Sequence, residues 1–215
     1  MIETQVLRVD PAEPAGAALR QAAALIGAGD LVAFPTDTVY GIGCRPDDAR
    51  AVAAVYEAKG RPRRVPLVLF ITAADRLGRY VAAMTPALEL AARHFWPGPL
   101  TIVARAREDA PAALVSQGTI GIRIPRHPLA LRLVDECGGA LATTSANLSG
   151  RGSTGDPQVV WSQLTGRIAL LLDAGRTRGG VESTVVDFTA HPPAILRAGA
   201  IGADELSAVI GRLGK

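Results

Sequence analysis

Short apolar runs alternate with amphipathic stretches along this chain, and the two patterns predict different elements. Apolar runs rich in β-branched residues are typical of buried strands. Apolar positions at helical spacing predict helices when a capping residue such as Thr85 opens them and Gly or Pro closes them. The predicted strands are 31–34, 66–71, 100–104, 119–125, 140–143, 168–172, 183–188 and 194–197. The predicted helices are 15–28, a segment capped by Asp47 or Asp48 that runs to 58, 86–96, 129–136 and 205–213.

One predicted strand, 119–125, alternates cleanly between two faces. Its isoleucines share one face, whereas Thr119, Gly121 and Arg123 share the other. An arginine at the centre of a strand face needs a partner. Two interpretations therefore stay open: Arg123 forms a salt bridge across the sheet, or it clamps the carboxylate of a ligand.

The order of the elements predicts an α/β fold. Strands and helices interleave irregularly, without strict β-α-β units, which favours a mixed parallel and antiparallel sheet flanked by helices. The chain has 215 residues and no internal repeat, long linker or change in composition. We therefore expect a single domain over residues 1–215.

Composition and charge narrow the class of protein. With 48% hydrophobic residues the chain can bury a full core, and a net charge of +3 suits an anionic substrate better than extensive nucleic-acid binding. Cys44 and Cys137 form no Cys-x-x-Cys pair, so a reducing cytoplasm is expected. The start lacks a signal-peptide pattern and no apolar run has the length of a transmembrane helix, so no membrane association is expected.

Several common catalytic motifs are absent from the sequence. The three histidines lack the spacing of a zinc site, so no protein-held metal is expected. There is neither the Gly-x-Ser-x-Gly elbow of hydrolases nor a P-loop. Nucleotide binding would therefore need another architecture.

A cationic segment, Lys59-Gly60-Arg61-Pro62-Arg63-Arg64, directly follows the second predicted helix. The common interpretation of such a cluster is a solvated surface patch. Here a proline stiffens it and a buried strand follows, so it is fixed between two core elements. That placement favours the alternative, in which its cations neutralise phosphate oxygens.

A run of small polar residues, 143–150, follows the predicted strand 140–143 and reads Thr-Thr-Ser-Ala-Asn-Leu-Ser-Gly. Ordinary turn and capping chemistry is one interpretation. The other is that its hydroxyls, amide and turn backbone hold a phosphate or a carboxylate. The segments 36–38 and 183–184 are weaker signals of the same kind, since ligands often contact strand ends in α/β folds.

Taken in order, these pieces resemble the YrdC-like threonylcarbamoyl-adenylate synthase family. Each piece is weak alone, but their joint order over nearly the whole chain is specific. The matching segments are Phe34-Pro35-Thr36-Asp37-Thr38-Val39-Tyr40-Gly41, Lys59-Gly60-Arg61-Pro62, Pro66-Leu67, Trp96-Pro97-Gly98-Pro99-Leu100-Thr101, Arg123-Ile124-Pro125, Thr144-Ser145-Ala146-Asn147-Leu148-Ser149-Gly150, Ser183-Thr184-Val185-Val186-Asp187 and Leu196-Arg197-Ala198-Gly199.

The resemblance implies a twisted sheet with an open, concave, basic cleft, and a synthase reaction in that cleft. L-threonine, bicarbonate and ATP, with Mg²⁺ accompanying the ATP, would give threonylcarbamoyl-AMP, pyrophosphate and water. The product would serve the modification of the tRNA adenosine beside the anticodon. The implied catalytic residues are Lys59, Arg61, Ser145 and Asn147. The implied threonine site is Thr36, Arg123, Thr143 and Ser183. The implied ATP contacts are Lys59, Arg61, Arg63, Thr119, Ser145, Asn147, Ser153 and Arg197.

The chain departs from the family pattern in a few places. Phe70 stands where many members have a histidine, and Ala198 replaces a usual proline. The chain stops soon after 194–197, which predicts the short, single-domain form, and segment 150–157 is expected to be mobile and to close over the nucleotide.

Weak tRNA binding and a transfer-enzyme partner are further expectations. The alternatives are an RNA-binding protein without synthase activity and an enzyme of the same fold that performs the carbamoyl adenylation of a different substrate, either plain carbamoyl phosphate or another amine.

Overall fold

The computed structural model describes residues 2–10, 16–62 and 65–214. The expectations for Ala15, Arg63 and Arg64 lie outside these residues. The strands are β1 Gln5–Arg8, β2 Val32–Phe34, β3 Gly41–Cys44, β4 Val68–Ile71, β5 Leu100–Arg105, β6 Thr119–Arg123, β7 Ala140–Ser145, β8 Leu170–Asp173, β9 Thr184–Asp187 and β10 Ala194–Arg197. The helices are α1 Gly16–Gly27, α2 Ala49–Lys59, α3 Pro86–Phe95, α4 Pro128–Glu136, α5 Pro157–Leu164 and α6 Ala203–Ile210, with 3₁₀ turns at Ala74–Arg79 and Ala112–Leu114.

The strands form one mixed sheet, as the irregular order of elements predicted. Their order across the sheet is β1-β8-β2-β3-β7-β4-β6-β5-β9-β10. The pairs β1–β8, β2–β8, β4–β6 and β5–β9 are parallel, and the other neighbours are antiparallel. The α/β fold with a mixed sheet is therefore confirmed.

Helices cover the two faces of the sheet unequally. One face packs against α2, α3, α5 and α6 in the larger hydrophobic core. On the other face, α1 and α4 form a smaller core with parts of β2, β4, β7 and β8. The predicted alternation of β6 is confirmed, because its isoleucines lie in the larger core while Thr119, Gly121 and Arg123 line a cleft on the opposite face.

Local sequence signals fix the ends of the helices that matter for this cleft. Helix α2 begins after Asp48, whose carboxylate accepts from the N–H groups of Arg50 and Ala51. It ends at Gly60, which adopts a left-handed conformation with φ 59° that glycine tolerates without strain. The predicted cap therefore places Lys59 at the last turn of α2, pointing under the loop that follows β7.

Three elements were missed by the sequence analysis. Strand β1 is a short edge strand with two polar residues, and it is held in place by pairing with distant β8. Strand β3 carries Gly41 and Gly43, which are poor strand formers. A Cβ at Gly43 would lie 2.7 Å from a Leu141 methyl group and 2.9 Å from the Phe34 ring, so close packing requires glycine there. Helix α5 begins with Pro157 and buries Pro157, Val160 and Leu164 at helical spacing, but the exposed Val159 and Trp161 on either side of Val160 mask that pattern in the sequence.

Candidate active site

An open cleft of about 720 Å³ lies on the sheet face that α1 and α4 leave uncovered. It is lined by residues from β4, β5, β6 and β7 and from the loops that flank β2, β9 and β10. Every described residue that the resemblance assigned to a substrate lines this one cleft; Arg63 lies outside the described residues. The residues are Thr36, Lys59, Arg61, Thr119, Arg123, Thr143, Ser145, Asn147, Ser153, Ser183 and Arg197.

Lys59 is buried beneath the loop after β7, with 1% of its surface exposed. Its ammonium donates to the carbonyl oxygen of Ser145, to that of Asn147 at 2.7 Å and to the side-chain oxygen of Asn147 at 3.3 Å. An ammonium has three N–H groups, so these contacts use all of them. Burial, and then the nearby charge of Arg61, lowers the pKa of Lys59 to about 7, while Glu182 acts in the opposite direction.

The loop from Ser145 to Arg151, here called the SAN loop, satisfies most of its backbone internally. The N–H of Ala146 donates to Tyr40, that of Asn147 to Ser145, and that of Ser149 to Lys59. The N–H of Leu148 donates to the side chain of Gln163 at 2.8 Å. These four N–H groups therefore already have acceptors within the protein, and Ser145 lines the cleft, while a contact between the turn backbone and a phosphate stays a prediction.

The amide of Asn147 also points into the protein. Its Nδ2 donates to the carbonyl oxygens of Leu148 and Arg151. Together with the contact from Lys59, these bonds close the SAN loop on itself. In this structure, Asn147 shapes the wall of the cleft.

Arg61 extends along the cleft from the end of α2. Its Nη1 donates to the hydroxyl of Thr144 at 3.3 Å and its Nε to the carbonyl of Val65 at 3.3 Å. Both partners are neutral. Desolvation lowers the pKa of Arg61, and a guanidinium stays charged despite such a shift.

Arg123 is buried at the floor of the cleft and has a carboxylate partner within the protein. Its Nη2 pairs with Asp37 at 2.7 Å, its Nη1 donates to the hydroxyl of Thr38 at 3.1 Å, and its Nε donates to the carbonyl of Gly98 at 3.0 Å. The guanidinium also lies 5.6 Å from the centre of the Phe70 ring. The interpretation of Arg123 as a cross-sheet salt bridge is thus correct, and Asp37 is engaged there.

Ser183 and Arg197 are joined in a second network at the far end of the cleft. The Ser183 hydroxyl lies 2.8 Å from that of Thr101, and Nη2 of Arg197 donates to Ser183 at its hydroxyl, 3.1 Å, and its carbonyl, 2.9 Å. The Nη1 of Arg197 pairs with Glu182 at 2.7 Å. Arg197, which was expected to contact ATP, therefore contacts Ser183, which was expected to contact threonine.

Thr36, Thr143 and Thr119 contribute hydroxyl groups to the walls of the cleft. Thr36 donates to the carbonyl of Val39 at 2.6 Å and lies 2.9 Å from the hydroxyl of Thr38. Thr143 donates to the carbonyl of Val68 at 3.1 Å, and Thr119 to that of Ser116 at 2.8 Å. The hydroxyl donors of Thr36, Thr143 and Thr119 are used inside the protein. The Thr36 oxygen also accepts from the N–H of Thr38 and, because its own proton goes to Val39, from the Thr38 hydroxyl, so acceptor capacity toward the cleft remains at Thr143 and Thr119.

Positive charge dominates the described lining of the cleft. It contains five basic side chains, Lys59, Arg61, Arg123, Arg151 and Arg197, against the single carboxylate of Glu182. Among the described residues no cluster of three or more His, Cys, Asp or Glu side chains could hold a metal ion. The described helices include none with the length and apolar character needed to cross a membrane.

Several lining residues were missed by the sequence analysis. Thr101 lies inside a matched segment and Glu182 directly precedes one, but only the pairing of β5 with β9 brings Thr101 against Ser183. The segment 150–155 reads Gly-x-Gly-x-x-Gly, and Gly150 to Ser153 line the cleft. This glycine pattern could have identified the segment as part of the cleft. It follows β7, which is antiparallel to both of its neighbours, whereas the dinucleotide-binding pattern follows the first strand of a β-α-β unit.

The fold and cleft define a class of α/β protein whose open, cationic, hydroxyl-lined site suits anionic small molecules. The Sua5/YciO/YrdC family model, which carries the description "Telomere recombination", matches residues 24–199. This chain belongs to the Sua5/YciO/YrdC family.

Named relatives share much of the sequence and the fold. The threonylcarbamoyl-AMP synthase of Pyrococcus abyssi is 40% identical over 91% of this chain, and that of Bacillus subtilis is 42% identical over 90%. The crystal structure of P. abyssi Sua5 complexed with L-threonine superposes with a TM-score of 0.93 at 38% identity, covering 98% of this chain and 62% of that one. The chain spans 58% of the P. abyssi synthase and 56% of the B. subtilis one, so it corresponds to little more than half their length.

Proposed function

We propose that this chain is an L-threonylcarbamoyladenylate synthase, a nucleotidyltransferase that converts L-threonine, bicarbonate and ATP into threonylcarbamoyl-AMP, pyrophosphate and water. The observation that carries the proposal is the convergence of eleven separately predicted residues on one cleft. The names of the relatives support it, and so does the threonine complex of one of them.

Threonine would occupy the part of the cleft lined by Thr36, Arg123, Thr143 and Ser183. The Arg123 guanidinium uses one N–H of each terminal nitrogen on Thr38 and Asp37, and each of those nitrogens carries a second N–H. A substrate carboxylate would accept from these remaining donors. The hydroxyl oxygen of Thr143 would accept from the substrate's ammonium or hydroxyl group, and Thr36 would form part of the wall around the substrate.

ATP would extend along the wall formed by Lys59, Arg61, Arg63, Thr119, Ser145, Asn147, Ser153 and Arg197. Arg61 and Arg197 would neutralise phosphate oxygens directly. The buried charge of Lys59 would act from beneath the SAN loop. Mg²⁺ would be held by the phosphates and water, because it usually retains several waters and Glu182 is the one carboxylate in the described lining.

The reaction would proceed by positioning and charge stabilisation. The threonine ammonium would first lose a proton to solvent. The amine nitrogen would then attack the carbon of bicarbonate and form a C–N bond, and the C–O bond to one bicarbonate oxygen would break, with that oxygen leaving as water that carries one amine proton, to give the carbamate. A carbamate oxygen would then attack the α-phosphorus, and the bond to the β-phosphate oxygen would break to release pyrophosphate. The cations of the cleft would stabilise the negative charge that develops on the leaving pyrophosphate.

We propose further that residues 1–215 act as one domain, that the 150–157 segment closes over the nucleotide and that the protein works in the cytoplasm. The product would pass to a transfer enzyme of tRNA modification, and tRNA itself would bind weakly. The basic lining and exposed arginines would supply that weak, salt-dependent affinity.

The test is threonine-dependent release of pyrophosphate from ATP in the presence of bicarbonate. Arg61→Ala should lower kcat/KM roughly 30- to 150-fold, as expected for a lost charged contact to phosphate. Arg50→Ala is the matched control, since Arg50 is an exposed arginine of α2 outside the described cleft lining. Wild-type protein that turns over ATP without threonine, or a folded Arg61→Ala variant with the control's rate, would overturn the proposal.

A further inference from the structure

The SAN loop is anchored to three other segments of the protein through its backbone N–H groups. Ala146 donates to the carbonyl of Tyr40, Ser149 to the carbonyl of Lys59, and Leu148 to the side chain of Gln163. The first two acceptors are main-chain atoms that any residue would supply. Gln163 is therefore the anchor that depends on residue identity.

Gln163 reaches the loop from outside the cleft. It lies on α5 and is not among the described residues that line the cleft. Helix α5 is itself fixed, because Asp156 caps its first turn and Val160 and Leu164 are buried in the larger core. A fixed helix can hold the loop in one position, so a side chain on it can set the geometry of a wall that it does not form.

Lys59, at the end of α2, also holds the loop. Its ammonium binds the first part of the loop, at the carbonyl oxygens of Ser145 and Asn147. Lys59 binds Asn147 and Gln163 binds Leu148, so the two side chains hold consecutive residues of the loop. The loop that carries the Ser145 hydroxyl is thus clamped between α2 and α5.

We propose that Gln163 is a positioning residue for the nucleotide: with Lys59 it clamps the SAN loop and sets where the Ser145 and Ser149 side chains meet the phosphates. This inference rests on the proposed function, since it assigns the phosphates to this wall. Gln163 itself contacts no substrate. It acts by keeping the loop in the arrangement that ATP requires.

The experiment uses Gln163→Met, which keeps the length of the side chain but removes the oxygen acceptor. ATP binding measured by calorimetry should weaken about fivefold, as expected for one lost neutral hydrogen bond. Threonine affinity should remain unchanged. The Leu148 amide should exchange with solvent at least fivefold faster by hydrogen exchange. Gln163→Glu keeps an acceptor oxygen and should restore both values, and Gln158→Met on the same helix is the exposed control.

The result that overturns the proposal is Gln163→Met with faster exchange at Leu148 but wild-type ATP affinity, since the anchor would then be structural only. Equal losses of ATP and threonine affinity would also overturn it, as would unchanged exchange at Leu148. In a double-mutant cycle with Lys59→Met, the two losses of ATP affinity should not add. These readouts need no turnover, so failure of synthase activity in the wild type would be seen separately.

Discussion

The pair formed by Arg123 and Asp37 provides a quantitative test of how the floor of the cleft is built. Their side chains are 5% and 12% exposed, and the charged atoms are 2.7 Å apart. Removing one partner of a buried pair usually costs about 3–5 kcal/mol, because the other charge is left uncompensated. In Asp37→Ala, Arg123 keeps its hydrogen bonds to Gly98 and Thr38, so we expect the free energy of unfolding to fall by about 3 kcal/mol, at the lower end of this range. Asp37→Asn retains an acceptor and should cost about 2 kcal/mol.

Urea unfolding and thermal melting would measure this cost. For a chain of this length, about 3 kcal/mol corresponds to a melting temperature lower by roughly 6–12 °C. The control is Asp47→Ala, because Asp47 pairs with Arg45 at the surface, where the side chains are 64% and 46% exposed, and should cost under about 1 kcal/mol. L-threonine should raise the melting temperature of Asp37→Ala more than that of the wild type, since its carboxylate would replace the missing anion. An Asp37→Ala protein as stable as Asp47→Ala would refute the reasoning.

Three further changes test other parts of the cleft. Gly199→Ala should weaken threonine binding by calorimetry, because the new Cβ would lie 2.5 Å from the backbone of Ser183; unaltered affinity would contradict this. Gly43→Ala should lower the free energy of unfolding by about 1–3 kcal/mol through overpacking against Phe34, and a neutral effect in urea unfolding would argue against it. Lys59 has a pKa of about 7 when folded, below its unfolded value, so the unfolded chain binds more protons above pH 7 and stability should rise with pH. From pH 6 to 8.5 this titration should raise the free energy of unfolding by at most about 2 kcal/mol, and Lys59→Met should abolish that increase. If the free energy of unfolding of Lys59→Met depended on pH as in the wild type, Lys59 would not titrate in this range.

The sequence predicts those elements whose signals are local. The strand 100–104 is an apolar run, the strand 119–125 alternates between two faces, and α2 and α3 carry caps at Asp48 and Thr85, so each was predicted within a few residues. Strands β1 and β3 were not, because their stability comes from partners elsewhere in the chain. Gly43 fits β3 because it has no side chain to collide with Leu141 and Phe34. That reason becomes visible only when the fold places these two residues beside it.

The candidate site divides in the same way. Most residues that the resemblance assigned to a substrate lie in ordered motifs, and all those that the structure describes share one cleft. Their partners were not predicted, since pairs such as Arg123 with Asp37, or Leu148 with Gln163, depend on strand register and helix position. The hydrogen bonds of Lys59 and Asn147 within the protein were not predicted either, because a motif identifies the residue types, whereas packing decides the direction in which a side chain donates.

The partners of the cationic side chains imply where an incoming phosphate meets least competition. Arg123 and Arg197 are already paired with Asp37 and Glu182, and the ammonium of Lys59 is saturated by the SAN loop. Arg61 differs, because within the described residues its hydrogen bonds go only to neutral oxygens. A phosphate would replace one weak contact there, whereas at Arg197 it would have to compete with a carboxylate. Initial capture of the triphosphate should therefore depend more on Arg61 than on Arg197, which would contact phosphate only in competition with Glu182.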